Sequence, residues 1–118
     1  MTMTLQEITE KIRIFRDERD WEQFHNPKDM AMALSIEAGE LMEQFLWKTP
    51  EEVTTRVFEK REQIEEEVAD VAIYLVELAD ILSIDLFAAM ERKIAKNSAK
   101  YPAEKVRGSS MKYNEYGA

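Results

Sequence analysis

Two pairs of carboxylates are the residues of this chain best suited to chemistry. Glu37 and Glu40 form the first pair, and Glu67 and Asp70 form the second. Both pairs are embedded in apolar sequence, where acidic side chains lose hydration and repel one another unless a cation compensates their charge. Residues three apart lie on one face of a helix, so the two acids of a pair can share one ion. The pattern predicts a divalent metal site.

The ligand type narrows the choice of metal. Carboxylate oxygens favour hard ions such as Mg²⁺ or Mn²⁺, and Mg²⁺ usually completes its coordination with water and substrate phosphate oxygens. A di-iron site in a helix bundle requires Glu-x-x-His motifs, and the single histidine, His25, belongs to none. Phosphate chemistry with Mg²⁺ is therefore expected. One of the four metal-site acids could also take a proton from the attacking water, but the sequence does not indicate which.

Acid pairs at this spacing also arise by chance in a chain with 24 Asp and Glu residues. Most of the other pairs lie among polar residues, where a hydrated helix face explains them. The alternative to an enzyme is a non-catalytic acidic helical module that binds a basic partner or a second copy of itself. The apolar surroundings of the two pairs favour metal binding over this alternative.

Two aromatic side chains share the register of the acids. Trp47 is seven residues beyond Glu40, which would place it on nearly the same helix face about 10 Å further along. Tyr74 follows Asp70 by four residues. Either ring could stack on a nucleobase, or could instead be a packed bundle residue. The shared register favours a nucleotide substrate, although another phosphorylated substrate such as phosphoribosyl-ATP stays open.

A polar face in the last predicted helix could contact phosphate groups. Lys93, Asn97 and Lys100 fall on this face, and ammonium and amide groups can bind phosphate oxygens. Exposed lysines are more often simply hydrated, so this prediction depends on residue type and a shared face alone.

Helical periodicity and a scarcity of turn residues predict an all-α, four-helix, bundle-like fold. A first helix is expected over residues 5–19 and a second over residues 28–47. Thr49, Pro50 and Glu52 form a capping-box start for a long helix to residue 82, with a bend near residues 60–65. Asp85 is expected to cap the fourth helix, which stops before Pro102. Residues 1–101 would form one domain, and residues 102–118 an irregular tail.

Composition limits the partners and the location. A chain of 118 residues buries only a modest core, so assembly could supply further buried surface. A net charge of −8 argues against a nucleic-acid polymer as partner. The chain has no cysteine, which excludes disulfides and thiolate metal sites. Without a signal peptide or a membrane-spanning run, a cytoplasmic protein that does not enter membranes is expected.

These residues resemble the MazG-like all-α nucleoside triphosphate pyrophosphohydrolases, most closely their dCTP pyrophosphatase branch. The family signature is Glu-x-x-Glu on one helix and Glu-x-x-Asp on the next, which here reads Glu37 to Glu40 and Glu67 to Asp70. The similarity covers most of the chain and includes residues 19–25, 37–47, 70–75, 97–102 and 107–109.

The resemblance implies hydrolysis of a nucleoside triphosphate, such as dCTP or a related pyrimidine deoxynucleotide, to the monophosphate and pyrophosphate. It implies that the four acids hold Mg²⁺ and that Trp21, His25, Trp47 and Tyr74 line the nucleoside pocket. It further implies a homo-oligomer, a dimer or tetramer whose sites draw on more than one chain. One departure is visible, because Ile12 stands where relatives in that branch carry a histidine.

Overall fold

The structure is a computed structural model that describes residues 2–110, and every regular element in that range is helical. The predicted all-α class is confirmed. The helices are α1 (Leu5–Glu18), α2 (Pro27–Glu43), α3 (Pro50–Glu59), α4 (Arg61–Ile81), α5 (Leu86–Lys100) and the short α6 (Ala103–Val106), with a 3₁₀ turn at Glu22–Phe24.

Side-chain caps explain where four of these helices begin. At α1, α2 and α5 the capping oxygens belong to Thr4, Asn26 and Asp85, each accepting a hydrogen bond from a backbone N–H in the first turn. At α3, Thr49 accepts from the backbone of Glu52, and the Glu52 carboxylate accepts from the backbone of Thr49, both at 3.2 Å. The caps predicted at Thr49 and Asp85 are therefore confirmed.

The second helix is shorter than predicted. It ends at Glu43, and the chain then forms tight turns in which the N–H groups of Gln44 and Phe45 donate to carbonyls three residues back. Trp47 follows with a positive φ of 61°. The helix cannot extend to Trp47, because that residue is left-handed and Thr49 must be extended to cap α3. The predicted placement of Trp47 on the helix face of Glu40 is thus wrong.

The predicted bend in the long helix is a complete break. Lys60, with φ −113° and ψ 30°, leaves the helical region and separates α3 from α4. In the predicted tail, α6 adds one helical turn before Arg107, so residues 103–106 are not irregular. The remainder of that tail, residues 111–118, lies outside the described residues.

The chain divides into two units, Met1–Ile84 and Asp85–Ala118. In the first unit α2 packs along α4, and α1 and α3 each contact α4. Arg13 of α1 makes a two-pronged hydrogen bond to Asp80 of α4, with Nε donating to Oδ2 at 2.8 Å and Nη2 donating to Oδ1. This pairing lowers the pKa of Asp80 and fixes α1 against α4. The described part of the second unit consists of α5 and α6.

Few apolar side chains are shielded from solvent. Met30 and Ala79 are the buried hydrophobic residues in the described part of the chain, and Glu77 is a buried acid. Large apolar side chains are exposed on both main helices of the first unit, including Met32 and Ile36 on α2. No described helix is both long and apolar enough to cross a bilayer.

Candidate metal and nucleotide site

Three of the predicted metal ligands converge where α2 packs on α4. Glu37 comes from α2, and Glu67 and Asp70 come from α4. One carboxylate oxygen from each lies within 4.8 Å of the other two. The convergence follows from helix geometry, because acids three residues apart on α4 face the same direction and α2 presents Glu37 to that face.

The fourth acid, Glu40, lies beside this group. It is exposed and is not one of the three converging residues. Its carboxylate nevertheless helps to raise the pKa of both Glu37 and Glu67. The structure therefore brings Glu37, Glu40, Glu67 and Asp70 close enough for their charges to interact. We call these four residues the acid cluster.

The acid cluster is poorly compensated by the chain itself. The Oε2 atoms of Glu37 and Glu67 are buried and have no hydrogen-bond partner. Burial raises the pKa of both groups, and the neighbouring acids raise it further. No arginine, lysine or histidine within residues 2–84 forms an ion pair with any of the four acids. An all-oxygen donor set with buried, unpartnered oxygens fits a hard divalent cation.

A cavity of about 440 Å³ adjoins the acid cluster through Asp70, which belongs to both. Its walls are formed by α1, the segment after α1, and α4. The lining residues are Lys11, Ile12, Phe15, Trp21, His25, Asp70, Ile73, Tyr74 and Glu77. Three of the four residues predicted to bind the nucleoside, Trp21, His25 and Tyr74, thus share one cavity with a predicted metal ligand.

Aromatic side chains form one wall of this cavity. Phe15 and Trp21 meet edge to face with ring centroids 5.9 Å apart, a favourable arrangement for aromatic pairs. The Arg19 guanidinium lies 3.7 Å from the centroid of the Phe15 ring. Trp21 remains 43% exposed, so its indole is available to a ligand.

Tyr74 lies near both the acid cluster and the buried acid Glu77, whose charges act on its phenol. Burial raises the pKa of the Tyr74 phenol, and the charges of Glu37, Glu77 and Asp70 raise it further. The phenol therefore keeps its proton at neutral pH and can donate a hydrogen bond.

Glu77 is a charged cavity residue that sequence analysis missed, as is Lys11. It is only 8% exposed, and its Oε2 lies 3.7 Å from Nδ1 of His25. Neither atom has a hydrogen-bond partner. Burial raises the pKa of Glu77, while His25 and Arg16 oppose that shift. Its position seven residues after Asp70 and three after Tyr74 is a signal that could have identified it.

Four predicted site residues are not tested by the geometry of the first unit. Trp47 is 93% exposed and is not part of the cavity wall. Lys93, Asn97 and Lys100 are exposed residues of α5, in the second unit. Contacts of these four residues with nucleotide or phosphate therefore stay predictions.

Comparisons with known proteins identify relatives of this chain. The MazG-like family model matches residues 32–116. The chain is 45% identical over 114 residues to dCTP pyrophosphatase 1 of Homo sapiens, covering 95% of this chain and 67% of that protein. It is 42% identical to dCTP pyrophosphatase 1 of Bos taurus, with 95% of this chain and 68% of that protein covered.

A solved structure of a pyrophosphatase is also similar to this chain. The crystal structure of a pyrophosphatase from Archaeoglobus fulgidus matches with a TM-score of 0.81 and 39% sequence identity, covering 86% of this chain and 95% of that chain. The predicted resemblance is confirmed by both the sequence and the structural matches. The chain therefore belongs to the MazG-like family.

Proposed function

We propose that this protein hydrolyses dCTP, or a related pyrimidine deoxynucleoside triphosphate, to the monophosphate and pyrophosphate, and so removes nucleotides from the cellular pool. The single observation that carries the proposal is the dual position of Asp70, in the acid cluster and on the wall of an aromatic cavity. A triphosphate chain at the acids would extend its base into that cavity. The relatives named dCTP pyrophosphatase supply the substrate class.

Members of this family are metal-dependent pyrophosphatases, and this protein is a nucleoside triphosphate pyrophosphohydrolase. We propose that Mg²⁺ is its ion, held by Glu37, Glu67 and Asp70 with Glu40 beside them. Mn²⁺, which accepts the same oxygen donors, is the other candidate. When bound, such an ion would neutralise triphosphate charge and make a coordinated water more acidic.

The chain's own residues supply the remaining chemistry. A carboxylate oxygen of the acid cluster that is not used as a ligand could accept the proton of the attacking water. The Trp21 indole would stack on the base, and the apolar cavity wall would exclude bulk water from it.

A nucleotide panel tests the proposed function. The purified protein is incubated with Mg²⁺ and each of dCTP, dUTP, dTTP and the purine deoxynucleotides, and the products are separated by anion exchange. We expect monophosphate and pyrophosphate in equal amounts, with dCTP the preferred substrate. Release of inorganic phosphate alone, or no turnover of any nucleotide, would contradict the proposal.

We also propose that the protein works as a homo-oligomer, a dimer or tetramer. A single chain leaves large apolar side chains exposed on α2 and along α4, where Val68, Leu75 and Leu82 recur every seven residues on one helix face. Several large apolar side chains exposed along a helix are typical of a surface that contacts another protein. Family relatives also assemble, as the resemblance implies.

Light scattering coupled to size exclusion checks the assembly. We expect a mass two or four times that of one chain, and we expect Leu82→Lys or Met32→Lys to lower it, because each places a charge on exposed apolar surface. The exposed position Glu62→Lys, in the first turn of α4, serves as a control for added positive charge. A wild-type protein with the mass of one chain would refute the prediction.

A further inference from the structure

The buried acid Glu77 and its neighbour His25 belong neither to the converging acids nor to the aromatic pair of Phe15 and Trp21. A buried carboxylate oxygen without a hydrogen bond costs free energy, and such groups are rare in folded proteins. Here two unpartnered atoms, Oε2 of Glu77 and Nδ1 of His25, lie 3.7 Å apart. This separation exceeds a hydrogen bond, and both residues line the same cavity. The pair is therefore arranged to bond to something in the cavity.

Arg16 and Asp80, the other charged side chains that act on Glu77 besides His25, have partners of their own. Arg16 donates from Nε to Asp17 at 2.8 Å, and its Nη2 lies 4.0 Å from Glu22. Asp80 is held by Arg13. Arg16 and His25 favour the ionised form of Glu77, but Arg16 does not occupy its hydrogen-bonding capacity.

We propose that Glu77, with His25, is a specificity-determining pair that selects a base carrying an amino group next to a ring-nitrogen acceptor, as cytosine does. This inference rests on the proposed function, because it assigns the base end of the same nucleotide. An ionised Glu77 can only accept hydrogen bonds, and His25 can donate one from Nδ1. Cytosine offers the complementary order, an amino donor beside an acceptor, and carboxylates are known to accept from that amino group.

The position of Glu77 along α4 fits this role. Asp70 and Glu77 are seven residues apart, which is about 10 Å along the helix axis and on nearly the same face. A nucleotide has a similar span from its phosphates to the amino edge of its base. Phosphates near Asp70 would therefore place that edge close to Glu77, with Tyr74 midway between them.

The same geometry rejects uracil and thymine. Both present a carbonyl oxygen where cytosine has its amino group, so a carbonyl would face the Glu77 carboxylate. Each buried polar group would then remain unpaired, the condition under which binding sites discriminate strongly. Adenine presents an amino group beside a ring nitrogen as well, but on a larger base, so size would separate it from cytosine.

Replacing the carboxylate by an amide tests the pair directly. Glu77→Gln keeps the side-chain shape but can present either an oxygen or an NH₂ group to the base. We expect the ratio of kcat/KM for dCTP to that for dUTP to fall about 10- to 100-fold, mainly through KM. Glu62→Gln is the matched control, because it makes the same change at an exposed position of the same helix that does not line the cavity. Its ratio should match wild type.

A substrate-side measurement does not depend on folding of a variant. The wild-type protein is given N4,N4-dimethyl-dCTP, which lacks both amino N–H donors, and its kcat/KM should fall at least about 10-fold relative to dCTP. An unchanged value, or a Glu77→Gln variant that slows dCTP and dUTP equally, would overturn the inference alone. No turnover of any nucleotide by wild type would overturn the proposed function and this inference with it.

Discussion

Glu37→Gln is expected to lower metal-dependent turnover at least about 100-fold while leaving the metal-free protein as stable as wild type or more stable. The loss follows because removing even groups that support a metal ligand costs 10- to 100-fold, and Glu37 is proposed as a ligand itself. The gain follows because glutamine removes one charge from an acid cluster whose members repel one another. Turnover is measured against Mg²⁺ concentration, and thermal unfolding is measured in chelator.

The pH dependence of the unfolding free energy is a second test of the effect of Glu37. The pKa of Glu37 and that of Glu67 are raised above the ordinary value of 4.5 in the folded, metal-free protein. Their contribution to stability is therefore present below pH 4.5 and is lost as pH rises through the raised values. Glu37→Gln should flatten this decline. Glu62→Gln, an exposed acid in the first turn of α4, should leave both the decline and turnover unchanged.

The outcome that contradicts this prediction is specific. If Glu37→Gln is less stable than wild type in chelator, the carboxylate stabilises the fold and is not a strained ligand. If its Mg²⁺ dependence is that of wild type, Glu37 does not bind the ion.

Trp21→Ala is expected to raise KM for dCTP about 5- to 100-fold with a smaller effect on kcat. Stacking of a base on an aromatic side chain contributes about 1–3 kcal/mol, and Trp21 exposes its ring at the cavity wall against Phe15. Trp21→Phe should recover most of the loss, because it retains a stacking surface. Steady-state kinetics with dCTP measures both variants.

An exposed aromatic residue outside the cavity provides the control. Phe58→Ala, on α3, removes a ring that is not part of the cavity wall and should leave KM unchanged. Trp47→Ala measured alongside tests the role that the resemblance implies for Trp47. A Trp21→Ala variant with the KM of wild type would show that the base does not stack on this wall.

The acid cluster could be predicted from sequence because the spacing of its residues within each helix is a local feature of the chain. Spacing on one helix fixes the relative direction of Glu67 and Asp70, and apolar neighbours place them near the interior. The capping residues were predictable for the same reason, since Thr49 and Glu52 lie within one turn. Membership in a family of pyrophosphatases also argues against the alternative of a non-catalytic acidic interaction module.

The end of α2 could not be predicted because its usual signal is missing. Helices commonly stop at a glycine, which adopts a positive φ at little cost. Here the positive φ is at Trp47, a large aromatic residue that prolongs the apparent helical pattern. Similarly, neither Gly nor Pro occurs at the break around Lys60. In both places tertiary context overrode the local pattern.

Glu77 was missed for a different reason. Glu77 pairs in spacing with Asp80, three residues later on α4, but acid pairs at this spacing are common in the chain and most of them lie on hydrated faces. Its significance comes from His25, which is distant in sequence and reaches it through the segment between α1 and α2. Contacts of this kind appear only when the helices are assembled.

The paired hydrogen bonds between Arg13 and Asp80 have a consequence for affinity. They anchor α1, which carries Phe15, to α4, which carries Tyr74 and Asp70. The two sides of the pocket are therefore linked to each other before any nucleotide binds. Less conformational entropy is then lost on association, and this preorganisation allows a small number of contacts to give useful binding.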